Sequence, residues 1–440
     1  MNKNNYQIKL PSMNKKVIII GNGISGITCA INLRKQCEYD ITVISSESKY
    51  FYSRTALMYI YMGHMKQEHT QPYENNFWKD NRITLLQAQV TSMVAQNNFI
   101  EIDNDIILPY DYLVIAAGSK SNKFGWPGQD LKGVQGLYNL QDLQAMEEAT
   151  QGIKHAVVVG GGLIGIETVE MLLSRNINVS FLIREQSFWD LILPTEESEM
   201  INKLILHHKV DLQLNTELKE IKADANGKVS SIITSYGAEI NCGFVALTVG
   251  VSPNIAFAKD SGIEIDRGIL VNEYFKTNYN NVYAIGDCAQ FKKPLEGRRP
   301  LEQVWYTGKM HGETVAKNIA GINTTYLPGH WFNSAKFFDL EYQTYGTVPA
   351  KKAETDEWFW WQDDKGERGL RLMWDKETKI FKALNCFGIR IRHEVCNEWL
   401  NTQKTIPQVL KELSKANFNP EFFKKFETQF TTALIKEFTF

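Results

Sequence analysis

The 440-residue sequence predicts an α/β protein that contains two parallel β-sheets and a third, smaller region. Runs of β-branched residues, VIII at 17–20 and VVV at 157–159, have the composition of buried parallel strands. Each run leads directly into a glycine-rich turn, GNGISG at 21–26 or GGGLIG at 160–165, and then into a helical pattern. A strand, such a turn and a helix in this order form a Rossmann-like dinucleotide-binding unit. Two such units in one chain predict two bound dinucleotides.

The three glycines of each turn have separate roles in such a unit. The first permits a tight turn, the second lets backbone N–H groups approach a pyrophosphate, and the third lets the helix pack on the strand. The positive end of the helix then faces the phosphates. The glycines that we expect in these roles are Gly21, Gly23 and Gly26 in the first turn and Gly160, Gly162 and Gly165 in the second. Either motif alone could be a plain glycine turn, but its repetition with flanking strands argues against that interpretation.

An acidic residue follows the second strand of each unit. Glu47 comes after ITVI at 41–44, and Glu185 comes after VSFL at 179–182. They lie 26 and 25 residues beyond the first glycine of their units. The usual offset is about 20 residues, and a carboxylate in this position binds a ribose. We therefore predict that each glutamate contacts the ribose of its dinucleotide.

Composition and cysteine spacing narrow the class of protein. The net charge of −2 indicates no binding of nucleic acid, and no apolar stretch approaches the roughly 18 residues of a membrane-spanning helix. The N-terminal residues lack the apolar core of a signal peptide, so we expect a cytoplasmic protein. The six cysteines form no Cys-x-x-Cys pair, which disfavours disulfides, zinc and iron–sulfur clusters, and no metal site is expected. Any electron carrier would be an organic cofactor.

The order of these motifs predicts three domains. The first comprises residues 14–121 and 254–325, with a β-meander at about 83–107, and the second is inserted into it at 122–253. The third, at 326–440, is rich in aromatic residues and is expected to be an α+β domain. The prediction is therefore a discontinuous first domain.

Three further strands are expected to end in small residues next to the bound dinucleotides. They are LVIAAG, which ends at Ala117 and Gly118, LTVG, which ends at Gly250, and VYAIGDCA, which contains Gly286 and Asp287. Small residues at a strand end let the backbone pass close to a ligand.

Taken in order, these motifs resemble the FAD-dependent pyridine nucleotide-disulfide oxidoreductase superfamily over residues 14–325. The resemblance implies that the first Rossmann-like domain binds FAD and that the inserted one binds NADH or NADPH. It implies that Asp287 accepts a hydrogen bond from the ribityl chain of FAD. Glu167 matches a family glutamate near the junction of flavin and nicotinamide, although an ordinary glutamate in the first turn of a helix, favoured by the helix dipole, is the alternative. Arg184 could bind the 2′-phosphate of NADPH or form an ion pair with Glu185. The carboxylate of Glu185 favours NADH.

The branch of this family depends on the group that takes electrons from the flavin. The segment YFYSRTALMY at 50–59 contains no cysteine, which excludes a thiolate relay at the position where disulfide reductases carry one. The stretch from Tyr52 to Leu57 is similar to that of rubredoxin and ferredoxin reductases, the flavin portion of nitrite reductases, and apoptosis-inducing factor. The resemblance implies that Arg54 contacts FAD, with a surface arginine as the alternative. Many relatives carry a lysine where Tyr59 stands. Trp305 is the candidate neighbour of the flavin ring, or else a core tryptophan.

The predicted function is an FAD-dependent NAD(P)H oxidoreductase that moves a hydride from NAD(P)H to FAD without a catalytic side-chain acid or base. The acceptor would be a small redox protein of the ferredoxin or rubredoxin type, or a small molecule. The alternatives are a flavin-binding redox sensor and a membrane-surface NADH:quinone dehydrogenase. The last rests on an apolar stripe in a helix from Pro420, formed by Phe422, Phe426, Phe430, Leu434 and Phe438. The competing interpretation is that this stripe packs on its own domain or on a second copy in a homodimer.

Overall fold

The computed structural model describes residues 14–103, 105–418, 421 and 425–438. Among these, the chain forms two compact units. One contains residues 14–57, 65–120 and 252–327, and the other contains 58–64, 121–251 and the chain from 328 onward. The division of the chain into three domains remains a prediction.

A five-stranded parallel sheet organises the first unit. Its strand order is β19 (Val282–Ala284), β7 (Tyr112–Ile115), β1 (Lys16–Ile20), β2 (Asp40–Ser45) and β3 (Ile83–Gln87). Ile18 on β1 lies opposite both Thr42 and Leu113. Both faces of β1 are buried, as the unbroken apolar run predicted. The elements of the first part of the chain are β1 (Lys16–Ile20), α1 (Ile24–Arg34), β2 (Asp40–Ser45), α2 (Leu57–Tyr61), α3 (Phe77–Asp80), β3 (Ile83–Gln87), β4 (Val90–Val94), β5 (Phe99–Ile102), β6 (Ile106–Pro109), β7 (Tyr112–Ile115) and β8 (Ser119–Ser121).

The predicted meander at 83–107 is partly wrong. Only β4, β5 and β6 form an antiparallel three-stranded sheet. β3 instead pairs in parallel with β2, with Ile41 opposite Ile83, and becomes the fifth strand of the main sheet. Periodicity does not distinguish a parallel edge strand from the first strand of a meander, because the partner of the strand decides between them.

The middle segment of the chain repeats this architecture. Its parallel sheet has the order β12-β11-β10-β16-β9, in which β10, β11 and β16 correspond to β1, β2 and β7. An antiparallel sheet, β13-β14-β15, accompanies it. The elements are β9 (Val134–Gln135), α4 (Leu140–Ala149), β10 (His155–Val159), α5 (Leu163–Ser174), β11 (Asn178–Leu182), α6 (Thr195–His207), β12 (Asp211–Gln213), β13 (Leu218–Ala223), β14 (Val229–Thr234), β15 (Glu239–Asn241), β16 (Phe244–Leu247) and β17 (Val251–Pro253).

The chain then returns to the first unit, where β19 completes the parallel sheet beside β7. The long helix α7 packs across α1, and two glycines bring the backbones together. A Cβ atom on Gly312 would lie 2.4 Å from the carbonyl oxygen of Ser25, and one on Gly308 would lie 2.7 Å from the Ser25 hydroxyl. The elements of this return are β18 (Ile269–Val271), β19 (Val282–Ala284), β20 (Ala289–Phe291) and α7 (Trp305–Ile319).

The C-terminal part is a five-stranded antiparallel sheet with helices, as the α+β prediction required. The strand order is β21-β22-β25-β24-β23, and the core between sheet and helices is aromatic. The elements are β21 (Phe332–Phe337), β22 (Leu340–Tyr345), β23 (Asp356–Gln362), β24 (Gly369–Asp375), β25 (Phe381–Phe387), α8 (His393–Asn401), α9 (Ile406–Ala416) and α10 (Glu427–Glu437).

The apolar stripe near the C-terminus belongs to this core. Phe426, Phe430 and Leu434 are buried, and the ring of Phe430 lies 5.5 Å from that of Phe359 on β23. Pro420 and Phe422, at the start of the predicted helix, lie outside the described residues. The described part of the stripe therefore packs on its own domain instead of facing outward.

A buried ionic cluster joins α6 to the C-terminal sheet. The guanidinium of Arg371 on β24 is fully buried, with Nε 2.5 Å from Glu197 Oε1 and Nη2 2.9 Å from Glu196 Oε2. Asn385 on β25 donates to the second oxygen of Glu197 at 2.7 Å. The ring of Trp358 lies 4.5 Å from the guanidinium. Since a buried charge without a partner is strongly unfavourable, these contacts hold α6 against the sheet.

Candidate active site

The first glycine turn has room for a ligand at only one of its three glycines. Gly21 has a φ of +110°, and a Cβ atom there would lie 2.1 Å from the carbonyl oxygen of Ala116. A Cβ on Gly26 would lie 2.0 Å from the carbonyl oxygen of Gly21. A Cβ on Gly23 would meet no atom within 4 Å, and no side chain caps α1 at this residue. The first and third glycines are therefore required by packing, whereas the second borders open space at the positive end of α1, where a pyrophosphate fits.

The second glycine turn has the same arrangement. Gly160 has a φ of +112°, and a Cβ on it would lie 2.6 Å from the carbonyl oxygen of Thr248. A Cβ on Gly165 would lie 2.2 Å from the carbonyl oxygen of Gly160. Gly162 again has nothing within 4 Å of such an atom, at the start of α5. The middle segment of the chain thus repeats the geometry of the first glycine turn, and its binding of a dinucleotide remains a prediction.

Three segments of the first unit meet at Asp287. Gly286 begins a single 3-10 turn with a φ of +69°, and a Cβ on it would lie 2.5 Å from the Ser25 hydroxyl on α1. The hydroxyl of Ser119 donates to Asp287 Oδ2 at 3.0 Å, and Gln303 donates to that hydroxyl at 3.0 Å. The closing strands thus place Asp287 beside the first glycine turn, as a ribityl-binding carboxylate requires.

Two side chains at this point were not predicted from the sequence. Ser119 directly follows Gly118, which has a φ of +67°, and so continues the strand end that was predicted. Gln303 precedes α7 by two residues and lies 184 residues away from Ser119 in sequence. The position after a strand-ending glycine could have indicated Ser119, but no local pattern indicated Gln303.

Glu47 and Arg54, which were both predicted to contact FAD, contact each other. Arg54 Nη2 lies 2.6 Å from Glu47 Oε2, and the Tyr52 hydroxyl also donates to this carboxylate. Asn22 in the glycine turn donates to the backbone carbonyl of Ser48 at 2.7 Å, so the turn is tied to the segment after β2. The structure thus brings these residues to one place in the first unit, while their contacts with FAD remain predictions.

The corresponding residues of the middle domain also form a pair. Arg184 Nη2 lies 2.7 Å from Glu185 Oε1, with 67% of the arginine side chain and 23% of the glutamate side chain exposed. Of the two interpretations of Arg184, pairing with the glutamate is therefore the one that this structure shows. Gly250 has a φ of +86°, and its carbonyl oxygen accepts a hydrogen bond from the backbone N–H of Asn122 at 3.1 Å.

Glu167 is the fifth residue of α5, beyond a first turn that contains no acidic residue, so the alternative of a first-turn glutamate is wrong. Burial on α5, together with the nearby Glu170, raises the pKa of Glu167 to about 7, although Lys336 opposes this shift. Lys336 itself pairs with Glu170 at 2.9 Å. Trp305 is the first residue of α7 and is 36% exposed. It is therefore not a core tryptophan, and its contact with the flavin ring remains a prediction.

All six cysteines are free thiols, and five of them are buried. Burial raises the pKa values of Cys242 and Cys288 to about 12. Cys37, which is half-buried, lies on the helix-to-strand connection after α1. The five buried thiols therefore lack the exposed character of a redox-active cysteine.

We therefore expect alkylation of the native protein with iodoacetamide at pH 8 to change the rate of flavin reduction by NADH less than about twofold. A count of modified thiols by mass spectrometry checks the extent of reaction. The denatured protein, in which all six cysteines react, is the control. If activity fell in proportion to the modification of one thiol, direct transfer of the hydride from NADH to the flavin would be contradicted.

The fold and the two cradles define a two-dinucleotide oxidoreductase. The family model for pyridine nucleotide-disulphide oxidoreductases matches residues 15–312, and the chain belongs to this family. It is an NAD(P)H oxidoreductase whose cofactor is FAD.

Two relatives and one solved structure illustrate the range of the family. The chain is 28% identical to a nitrite reductase [NAD(P)H] of Bacillus subtilis over 70% of its length but only 38% of the relative. It is 30% identical to an NADH oxidase of Methanocaldococcus jannaschii over 74% of this chain and 75% of the relative. A ferredoxin reductase from Rhodopseudomonas palustris has a TM-score of 0.78 at 21% identity, covering 85% of this chain and 91% of that one. The last shows a shared fold.

No described helix is both long enough and apolar enough to span a bilayer.

Proposed function

We propose that this protein oxidises NADH and passes the electrons, through FAD, to a small electron-carrier protein of the ferredoxin or rubredoxin type. The observation that carries the proposal is the pair of glycine cradles in a chain whose segment at 50–59 contains no cysteine. Without a thiol at this position to relay electrons, the acceptor would be a group outside the chain. The similarity of the stretch from Tyr52 to Leu57 to rubredoxin and ferredoxin reductases supports a protein carrier.

The side chains contribute binding and orientation. Bound FAD supplies the redox chemistry, since it accepts a hydride and releases electrons singly or in pairs. Gly23 and the start of α1 hold the FAD pyrophosphate, and Asp287 holds the ribityl chain. Gly162 and the start of α5 hold the coenzyme pyrophosphate. No side chain transfers a proton in this scheme.

Glu185 supports NADH as the coenzyme. A carboxylate at the end of the second strand binds a ribose diol and repels a 2′-phosphate. Arg184, which would be needed to bind that phosphate, is already paired with Glu185 at 2.7 Å. A comparison of kcat/KM for NADH and NADPH tests this assignment, and a preference for NADPH would overturn it.

An anaerobic titration followed by an acceptor panel tests the proposal. NADH is expected to bleach the visible flavin bands, and a ferredoxin or rubredoxin is expected to restore them faster than oxygen does. Ferricyanide is the control for a competent flavin. If oxygen restores the bands faster than every carrier protein, the activity is that of an oxidase, which the similarity to an NADH oxidase makes the second candidate. A long-lived reduced state with every acceptor would instead favour the redox sensor.

The charge of Glu167 provides a test of the coenzyme site. If this side chain lies near the nicotinamide, as the family resemblance implies, its ionisation above a pKa of about 7 favours the cationic nicotinamide ring of NAD⁺ over the neutral dihydronicotinamide ring of NADH. The ratio of the Kd of NAD⁺ to that of NADH is therefore expected to fall about threefold to tenfold between pH 6 and pH 8. Isothermal titration calorimetry of the FAD-free protein measures both constants, because NADH would reduce bound flavin.

The matched control for this test is the neighbouring glutamate. Glu167→Gln should abolish the pH dependence of the ratio, whereas Glu170→Gln should keep most of it because Glu170 is paired with Lys336. An unchanged pH dependence in Glu167→Gln would place the titrating group elsewhere.

A further inference from the structure

A buried polar cluster lies behind the turn that contains Gly286 and Asp287. Its members are Glu302, His311 and Tyr326, which are at most 4% exposed. Glu302 precedes α7, His311 lies on α7, and Tyr326 follows it. None of them belongs to the glycine turns, the strand-end motifs or the predicted site residues, so the proposed function leaves the cluster without a role.

His311 contacts the turn directly. The backbone N–H of Gly286 donates a hydrogen bond to His311 Nδ1 at 3.1 Å. An imidazole nitrogen accepts a hydrogen bond only when it carries no proton, so the ring proton of the neutral side chain resides on Nε2. Nε2 faces Glu302 Oε2 at 3.5 Å. The contact with Gly286 therefore requires a neutral ring in one tautomer.

The surroundings of the ring favour this state. The Tyr326 hydroxyl donates to Glu302 Oε2 at 2.6 Å, and Arg298 Nη1 lies 3.4 Å from Glu302 Oε1. Burial lowers the pKa of His311, although Glu302 and Asp287 oppose this shift. The ring of Phe275 lies 4.5 Å from the imidazole, and that of Tyr326 lies 4.8 Å away and nearly perpendicular. Aromatic packing and the carboxylate together fix the position of Nδ1.

The turn needs such an anchor because its geometry is constrained. Gly286 is held in the left-handed region, with a φ of +69°, close to the Ser25 hydroxyl. Without an acceptor, its N–H would be a buried donor without a partner, and the turn would have to shift to satisfy it. Any such shift moves Asp287, the next residue.

We propose that His311 is a positioning residue for FAD. Its ring is oriented by Glu302 and Tyr326 and accepts a hydrogen bond from the Gly286 N–H. This contact holds the turn so that Asp287 faces the cofactor. This inference rests on the assignment of Asp287 to FAD in the proposed function. It assigns no chemical step to the cluster.

Two substitutions of similar shape separate the acceptor from the packing. His311→Asn retains an acceptor oxygen at the position of Nδ1, whereas His311→Leu places a methyl group there. Each purified protein is stripped of FAD, and the Kd for added FAD is measured by the quenching of flavin fluorescence. His311→Leu is expected to bind FAD about 10- to 100-fold more weakly than the wild type, because a buried donor loses its partner. His311→Asn is expected to stay within about threefold.

The visible spectrum of bound FAD is the second readout, and a shifted or broadened band is expected for His311→Leu alone. Equal weakening of FAD binding in both variants would overturn the proposal, since packing would then explain the loss. Unchanged binding in His311→Leu would also overturn it.

Two further variants keep the outcomes distinct. Asp287→Ala should weaken FAD binding if the site assignment is correct. If Asp287→Ala binds FAD as tightly as the wild type, the assignment of Asp287 in the proposed function is wrong. If Asp287→Ala binds FAD weakly but His311→Leu binds it as tightly as the wild type, only the role of His311 is refuted. If His311→Leu does not fold, Tyr326→Phe keeps the aromatic ring but removes one donor to Glu302. It should weaken FAD binding severalfold, and unchanged binding would overturn the proposal.

Discussion

Replacing Arg371 with leucine is expected to lower the free energy of unfolding by about 3–5 kcal/mol. The substitution leaves Glu197 as a fully buried carboxylate without its cationic partner, although Asn385 still donates a hydrogen bond to it. Urea unfolding followed by tryptophan fluorescence measures the effect, since the ring of Trp358 lies against the guanidinium. We expect α6 and the C-terminal sheet to separate at lower urea concentration than in the wild type.

The chain contains a matched control for this prediction. Arg390 pairs with Glu341, but the side chains of that pair are 44% and 41% exposed. Arg390→Leu should therefore cost no more than about 1 kcal/mol. The double variant Arg371→Leu with Glu197→Leu should recover most of the loss, because it removes the uncompensated charge. If Arg371→Leu and Arg390→Leu have equal effects, the buried cluster does not stabilise the fold as argued.

Valine at the middle glycine of each turn is expected to abolish the binding of one dinucleotide and spare the other. Gly162→Val should weaken NADH at least about 100-fold, since two backbone hydrogen bonds to a phosphate are worth about 1.5 kcal/mol each. The protein should remain yellow with FAD. Gly23→Val should instead yield a colourless protein that still binds NADH.

Both variants should fold, because a Cβ atom at either position meets nothing within 4 Å and the backbone there is extended. Gly160→Ala is the contrasting substitution. Its φ of +112° and the carbonyl of Thr248 at 2.6 Å strain any side chain, so its melting temperature should fall in the absence of ligand. Thermal melts of the three variants without ligand compare their stabilities, and calorimetry measures their binding of FAD and NADH. Loss of both dinucleotides in Gly162→Val would contradict two independent cradles.

The local patterns that predicted the fold were those with a short-range physical cause. Unbroken β-branched runs predicted β1 and β10, and the glycine spacing predicted the turns that follow them, because strain and steric contact act over a few residues. The repetition of the motif correctly predicted two parallel sheets. The apolar stripe with a period of four also predicted the buried face that contains Phe430 and Leu434.

Long-range pairing could not be predicted in the same way. Whether residues 83–87 extend the parallel sheet or begin a meander depends on the partner strand, and their sequence suits both. The contact of Gln303 with Ser119 joins residues that are far apart in the chain. The ion pair of Arg54 with Glu47 uses two residues that were each predicted to contact FAD, because a motif shows that a charge is present but not which partner it meets.

The amino-acid pattern was therefore sufficient for the α/β architecture and for the two glycine turns between strand and helix, since these follow from strand periodicity and glycine stereochemistry. Only the tertiary structure decided which polar groups support the site. The hydrogen bond from Gly286 to His311 and the burial of Arg371 between two carboxylates both require the packing of distant elements. Burial then removes competing water, so these few contacts become strong enough to position the binding residues.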